Sequence, residues 1–143
     1  MELMFVVRSN SPAFRPSGMT EGSSFTLPSA YTTITGWVAD TTHYPGSTVS
    51  SNGLVVQNTK TGAVINCNVQ YTSSFAMTLT LRLFQNGTQI AQGSATASAT
   101  SGTATVSATV NVTAGDNITV QASASQNNFG STTTGSGTFV TVV

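Results

Sequence analysis

Apolar and polar residues alternate one by one over most of the chain after residue 24. In AMTLTLRLF, residues 76–84, a methionine and three leucines occupy the odd positions from Met77 to Leu83, and threonine and arginine occupy the even positions between them. A period of two residues is the side-chain spacing of a β-strand, whereas a helix has a period of 3.6. No segment carries a helical stripe, so the alternation predicts an all-β chain.

About eight to ten short strands are expected from this alternation and from the turn signals between the runs. Inward faces are predicted along Ile65–Tyr71, after a turn near residues 60–62, and along Ala104–Val112 and Ile118–Ala124. The last strand, GTFVTVV, is expected to be anchored in the core by Phe139. Many short strands separated by turns predict a sandwich or jelly roll of antiparallel strands.

Charged residues make up only 6% of the 143-residue chain, and the formal net charge is zero. No apolar run approaches the roughly 20 residues of a transmembrane helix, and the many Val, Ile and Thr residues argue against disorder. A neutral chain is not steered toward nucleic acid or an acidic membrane surface. Its Ser- and Thr-rich surface has little charge repulsion to prevent self-association, which favours a protein that works inside an assembly.

All four prolines lie between residues 12 and 45, which divides the chain into two parts. We expect an extended N-terminal arm over residues 1–24 and a single jelly-roll domain over residues 25–143. An apolar segment outside the core needs a partner, either its own domain or a neighbouring subunit. The predicted contact of this arm with a capsid or a second subunit consists of Leu3, Met4, Phe5, Val6, Val7 and Arg8.

The N-terminal sequence MELMFVVR has no basic region before its apolar run and no small-residue cleavage site after it. We therefore expect synthesis in a cytoplasm without export by the usual route. The single cysteine, Cys67, cannot form an intrachain disulfide. Because Cys67 alternates with apolar residues, we expect it to be a small buried hydrophobic side chain rather than a nucleophile.

Residues that could support catalysis are few and scattered. His43, the single histidine, follows Asp40 by three residues, but neither a nucleophile elbow nor an oxyanion context accompanies them. The segment is expected to be a surface loop closed by Tyr44-Pro45-Gly46. Carboxylates for glycoside hydrolysis, or ligands for a metal, are too dispersed to form a site. The sequence therefore predicts no enzymatic activity, no bound metal and no cofactor.

Asn86-Gly87-Thr88 can be interpreted as an N-glycosylation acceptor or as a hairpin turn. Asn-Gly is the preferred pair for a two-residue type I′ turn, because both positions require a positive φ. Apolar strands flank the pair and no export is expected, so the turn is favoured. Asp116, in the segment TAGDNI, is expected to hydrogen-bond the backbone of its own turn.

Six aromatic residues could line a sugar-binding surface: Tyr31, Trp37, Tyr44, Tyr71, Phe75 and Phe129. Trp37 and Tyr71 alternate with apolar residues and are expected in the core. Tyr44 and Phe129 lie in loop-like segments and are better candidates for contact with a partner. The possible ligand loops therefore contain Tyr44 and, in SQNNFGS, the residues Asn127, Asn128 and Phe129.

An ordered set of motifs after residue 53 resembles the tumour-necrosis-factor-like jelly roll, also known as the complement globular-head fold. The motifs are GLVV, GAVINCNVQY, LRLFQNGTQIAQG, VTAGDNITVQA and GSGTFVTVV. The matching positions are Gly62, Asn86, Gly87, Ala114, Gly115, Asp116, Gly137 and Phe139, while Ala63 replaces a frequent aromatic. The resemblance implies a homotrimer with inner-sheet aromatics and small residues packed around its threefold axis.

The upstream segment TTITGWVADTTHYPGSTVSSNGLVV is similar to the segment that precedes this domain in virion proteins of tailed phages of actinobacteria. Those proteins are head-decoration or minor tail proteins, so the resemblance implies a virion location and a partner in the phage major capsid protein or the tail. We expect a trimeric, non-enzymatic capsid decoration protein that binds and stabilises the outer head surface. The alternative is a minor tail or tail-tip protein that binds a host-surface glycan or receptor. The N-terminus and the lone cysteine count against a secreted cytokine-like or complement-like ligand.

Overall fold

The described chain consists of strands and the turns between them. The computed structural model describes residues 13–143, in which there are thirteen β-strands and no helix. The strands are β1 (Ser17–Glu21), β2 (Thr26–Leu27), β3 (Thr32–Thr33), β4 (Trp37–Ala39), β5 (Thr48–Ser50), β6 (Gly53–Val55), β7 (Lys60–Met77), β8 (Leu79–Gln85), β9 (Thr88–Gln92), β10 (Ala99–Val112), β11 (Asn117–Ala124), β12 (Gly130–Thr132) and β13 (Gly135–Val142). Short strands of two or three residues raise the number above the eight to ten expected. Residues 13–143 hold no helix suited to crossing a membrane.

Two antiparallel sheets form a sandwich, which confirms the predicted fold class. The seven-stranded sheet has the order β2-β12-β7-β13-β1-β4, and β10 pairs with β7 as well. The six-stranded sheet has the order β5-β6-β11-β8-β9, and β3 pairs with β11. The long β7 is the central strand of the first sheet, because β10, β12 and β13 all bond to it.

The hydrophobic core lies between the two sheets. The predicted inward residues of β7, β8 and β11 are all buried, which confirms the period-two assignment. β10 contributes Ala104, Val106 and Val112 to the core, while Ala108 and Val110 are half-buried. Cys67 is a buried free thiol. Burial raises the pKa of Cys67, and the nearby Glu21 raises it further, so this thiol is a packing residue as expected.

Two large aromatics in the core satisfy their polar atoms with backbone carbonyls. The Trp37 indole N–H donates to the Ile34 carbonyl at 3.1 Å, and the Tyr71 hydroxyl donates to the Met77 carbonyl at 3.3 Å. A buried N–H or O–H without a partner would cost stability. These bonds explain how both side chains are accommodated at the core positions predicted for them.

Asn86 and Gly87 form the turn between β8 and β9, as predicted. Their φ angles are +50° and +80°, both in the left-handed region that a type I′ turn requires. The Asn86 side chain also links this hairpin to the turn before β11, since its Nδ2 donates to Asp116 at 2.9 Å. The Asp116 carboxylate accepts the backbone N–H of Thr113 at 2.8 Å, which confirms its predicted role in its own turn.

The first strand of the sandwich lies within the segment that was predicted to be an arm. β1 pairs with β13 on one side and with β4 on the other, and its Met19 is fully buried in the core. The described part of the predicted arm therefore belongs to the jelly roll from Ser17 onward. Pro16 had suggested continued coil, but it directly precedes the strand, where a proline is tolerated. The predicted contact residues Leu3, Met4, Phe5, Val6, Val7 and Arg8 lie outside the described residues.

The face of the last strand that points into the core is the opposite of the one expected. Val140 and Val142 are buried in the core, whereas Phe139 is half-buried on the other face of β13. A shift of one residue moves every side chain of a strand to the other face. The prediction that Phe139 anchors the core was therefore wrong, because two valines in alternate positions fill that role.

Candidate functional site

The predicted ligand residues lie at opposite ends of the long strand β7. Tyr44 shares an open cavity of about 550 Å³ with Phe14, whose ring lies 4.8 Å from the Nζ of Lys60, the first residue of β7. Phe129 packs against Phe75, which lies near the last residue of β7. The two predicted loops therefore form two separate surfaces.

The Tyr44 end is built by the loop between β4 and β5. The Asp40 carbonyl accepts the backbone N–H of Tyr44 at 2.9 Å, and the Asp40 carboxylate accepts that of His43 at 3.1 Å. These bonds close a compact turn, as the Tyr-Pro-Gly sequence predicts. The Tyr44 ring packs directly on Gly18 of β1, where a Cβ atom would overlap it. Tyr44 is thus held against the sheet while it also lines the open cavity.

Asp40 and His43 form a pair, but the structure does not extend it into a catalytic triad. The His43 ring is exposed, and its Nδ1 lies 2.9 Å from the Asp40 carboxylate. Partial burial acts to raise the pKa of Asp40, but the hydrogen bonds and charge of His43 outweigh it and lower that pKa. Within residues 13–143, the hydrogen bonds of the His43 ring go to Asp40 alone, and none goes to a serine hydroxyl as a triad would require.

Clusters of metal ligands are missing from residues 13–143, in which no group of three His, Cys, Asp or Glu side chains comes together. Asp116 is committed to its turn, where three donors surround the carboxylate: the backbone N–H of Thr113, Gln85 Nε2 and Asn86 Nδ2. Burial acts to raise the pKa of Asp116, and these hydrogen bonds outweigh it and lower the value. The described carboxylates therefore do not meet at one site, and Asp40 and Asp116 each stabilise a turn.

The loop between β11 and β12 holds the other predicted residues. The Asn127 side-chain oxygen accepts the backbone N–H of Ser29 at 2.9 Å, and the backbone N–H of Asn128 donates to the Leu27 carbonyl at 2.9 Å. Asn128 has a φ of +64°, a conformation that asparagine tolerates better than most residues. Asn127 and Asn128 thus shape the loop, while the Phe129 side chain remains 49% exposed.

Phe75 joins Phe129 at this end, although the predicted ligand loops do not include it. The two rings are perpendicular, with an interplanar angle of 86° and a centroid distance of 4.9 Å, the edge-to-face geometry that aromatic pairs favour. Phe75 is 56% exposed, even though its odd position continues the inward face of β7. Polar residues from Thr72 to Ser74 interrupt the apolar pattern before it, which is the one sequence signal that the strand leaves the core there.

The central strands of the seven-stranded sheet present uncharged residues on its outer face, and a cavity beside Phe139 and Thr141 is also lined by Asp40 and His43. Cross-strand pairing places Thr105, Asn68 and Phe139 in one row, and Ser107, Asn66 and Thr141 in the next. β10 and β13 contain no charged residue, and β7 contains none after Lys60. We refer to these six residues as the neutral face.

Comparisons with known proteins agree with the architecture. The solved structure of Eiger TNF from S. frugiperda matches with a TM-score of 0.64 at 15% sequence identity, covering 91% of each chain. Murine APRIL, solved at pH 8.5 and at pH 8.0, matches with TM-scores of 0.53 and 0.55 at 14% identity, covering 90% of this chain and 98% of APRIL. No protein-family model and no curated protein matched the sequence. The resemblance to the TNF-like jelly roll is thereby confirmed as a fold.

Proposed function

We propose that the protein is a homotrimeric, non-enzymatic structural protein of a tailed-phage virion, which decorates and stabilises the outer surface of the head. The neutral face on a TNF-like sandwich is the observation that supports this proposal most strongly. The motif resemblance to actinobacteriophage virion proteins supports the phage context. The partners would be two further copies of this chain and the major capsid protein.

The neutral face is suited to contact between copies of the chain. Three central strands present Ser, Thr and Asn side chains and the half-buried Phe139, and none of these residues carries a charge that a subunit contact would have to desolvate. The Asp40–His43 pair lines the cavity beside Phe139 and Thr141. Closed rotational symmetry would cover one such face on each subunit. A trimer in which these faces meet at the axis agrees with the arrangement that the family resemblance implies.

Attachment to the head is assigned to the N-terminal segment. Phe14 and Arg15 line the Tyr44 cavity, so the chain enters the sandwich at that end, away from the Phe75–Phe129 pair. Arm residues Leu3, Met4, Phe5, Val6, Val7 and Arg8 would then contact the capsid or a neighbouring subunit. An apolar run of this kind can add to a partner as an extended strand.

Deletion of residues 1–8 tests this assignment. We expect the truncated protein to keep its trimeric mass and its β-sheet circular dichroism spectrum, because the described sandwich begins later, but to lose binding to undecorated heads. Binding is measured by co-sedimentation of purified protein with particles that lack it. The full-length protein is the control, and full occupancy of heads by the truncated protein would contradict the proposal.

The position of the protein on the virion distinguishes a capsid decoration protein from a minor tail protein. Gold labelling of an epitope tag placed after Val143 would mark heads if the protein decorates capsids. Labelling confined to the tail tip would instead support the alternative, a minor tail protein.

A further inference from the structure

We propose that the Phe75–Phe129 end of the sandwich is a binding site for a neutral saccharide. This site does not depend on whether the protein lies on the head or the tail. It combines an exposed aromatic pair, a rim of hydroxyl groups and a lack of charge, and none of its residues is among the six of the neutral face.

The aromatic pair is held in place by the backbone of two elements. The Phe129 carbonyl accepts the backbone N–H of Ser74 at 3.0 Å and the Ser73 hydroxyl at 3.1 Å. Ser73 Oγ also accepts the backbone N–H of Phe75 at 3.3 Å. Both rings are therefore positioned before any ligand arrives, which reduces the entropy cost of binding.

The exposure of these rings is unusual within this chain. Phe75 and Phe129 are about half exposed, and Val38, on β4, is the one other large apolar side chain of the described residues that is comparably exposed. Phe75 also lies beyond the stretch Ile65–Asn68, over which β13 pairs with β7 in the sheet. The pair is thus outside the rows that define the neutral face.

The residues around the aromatic pair indicate which class of ligand could bind there. Phe129 borders an open cavity of about 340 Å³, whose other lining residues all carry hydroxyl groups: Thr72, Ser73, Ser74 and Ser131. This volume lies near the lower end of the roughly 300–1,000 Å³ that is typical of ligand pockets. No charged side chain of residues 13–143 lines it, so an ionic ligand would find no counter-charge among them.

A neutral sugar ring matches this arrangement. Its C–H face is apolar and can pack on an aromatic ring, while its hydroxyl groups can exchange hydrogen bonds with serine and threonine. A quaternary ammonium ligand could also contact aromatic rings. We favour the saccharide because four hydroxyl side chains would have no polar partner on a trimethylammonium group.

The experiment screens the full-length protein against an array of neutral oligosaccharides built from hexoses, deoxyhexoses and N-acetylhexosamines, with a choline conjugate included. The best ligand is then titrated by calorimetry. We expect Phe75→Ala and Phe129→Ala each to weaken binding about tenfold, the effect of losing one aromatic contact. Phe75→Leu, which keeps apolar bulk but removes the ring, should weaken binding similarly.

Phe14→Ala is the matched control, because it removes a phenyl ring at the opposite end of β7 and should leave saccharide affinity unchanged. Circular dichroism confirms that each variant is folded. Three results would overturn the proposal: no neutral saccharide bound, binding retained in the Phe75→Ala/Phe129→Ala double variant, or binding of the choline conjugate alone.

Discussion

Glu21 is the residue whose chemistry is least matched to its surroundings. It lies on β1 with its side chain in the core and is only 1% exposed. One carboxylate oxygen accepts the Thr132 hydroxyl at 2.9 Å, and the other, Oε2, has no hydrogen-bond partner within residues 13–143. Burial raises the pKa of Glu21 to about 7, and the Thr132 hydrogen bond offsets only part of this effect. A buried carboxyl with an unpartnered oxygen favours the protonated form.

This environment predicts that stability falls as the pH rises. The pKa of Glu21 is about 7 in the folded protein against an ordinary value of 4.5. The folded state therefore binds the proton more tightly, and the contribution is full below pH 4.5 and lost as the pH rises to about 7. Over this window we expect the free energy of unfolding to decrease by roughly 3 kcal/mol.

Urea denaturation at pH 5 and pH 8 measures this change, with Glu21→Gln as the matched variant. The glutamine does not titrate, so its difference in unfolding free energy between the two pH values should be smaller than that of the wild type. Equal pH dependence in the two proteins would show that Glu21 does not titrate in this window.

At the scale of elements, the contact between β1 and the Tyr44 loop shows how closely the strands and loops are fitted. Gly18 has no side chain, and the Tyr44 ring occupies the space where one would be. Gly18→Ala should therefore destabilise the fold by about 1–3 kcal/mol, the usual cost of overpacking. Thermal unfolding measures the effect.

The double variant Gly18→Ala/Tyr44→Ala separates overpacking from other effects of the alanine. Removing the ring makes room for the new methyl group, so the combined loss should be smaller than the sum of the two single losses. Additive losses would mean that the glycine is required for a reason other than the tyrosine.

At the same scale, the proposed role of the neutral face in the trimer can be tested by placing a charge on it. Asn68→Asp would place a like charge from each subunit in the centre of the proposed contact, where repulsion and desolvation are costly. We expect native mass spectrometry to show a shift from three chains of 14.6 kDa to one. Thr119→Asp, on the six-stranded sheet, is the control and should remain trimeric. A trimer that persists in Asn68→Asp would place the subunit contact elsewhere.

At the scale of the whole molecule, periodicity was sufficient to predict the sandwich and most of its core. The strands β8 and β11, and β7 between Ala63 and Tyr71, alternate without interruption, so their buried faces could be assigned from the sequence. Asn86 and Gly87 could be assigned to a turn because a type I′ turn requires positive φ angles at both central positions, which Asn and Gly tolerate. Phe139 could not be assigned correctly, since Phe139 and Val140 are adjacent apolar residues and either of them could face the core.

The candidate site was predicted only in part, because it depends on contacts between distant segments. Phe129 is identifiable from its loop, but its partner Phe75 is 54 residues away, and the sequence around either residue does not indicate that the two rings meet. β1 was likewise assigned to the arm, because its partner β13 lies at the other end of the chain. The local sequence pattern does not indicate which distant segments pair, because those contacts depend on the packing of the whole chain.

The virion itself provides the most direct test of the central claim. Under the proposed function, electron cryo-microscopy of tailed-phage virions that contain this protein should show threefold-symmetric densities on the outer surface of the head, into which three copies of the sandwich fit with their neutral faces at the axis. Heads without such density would contradict a capsid decoration protein.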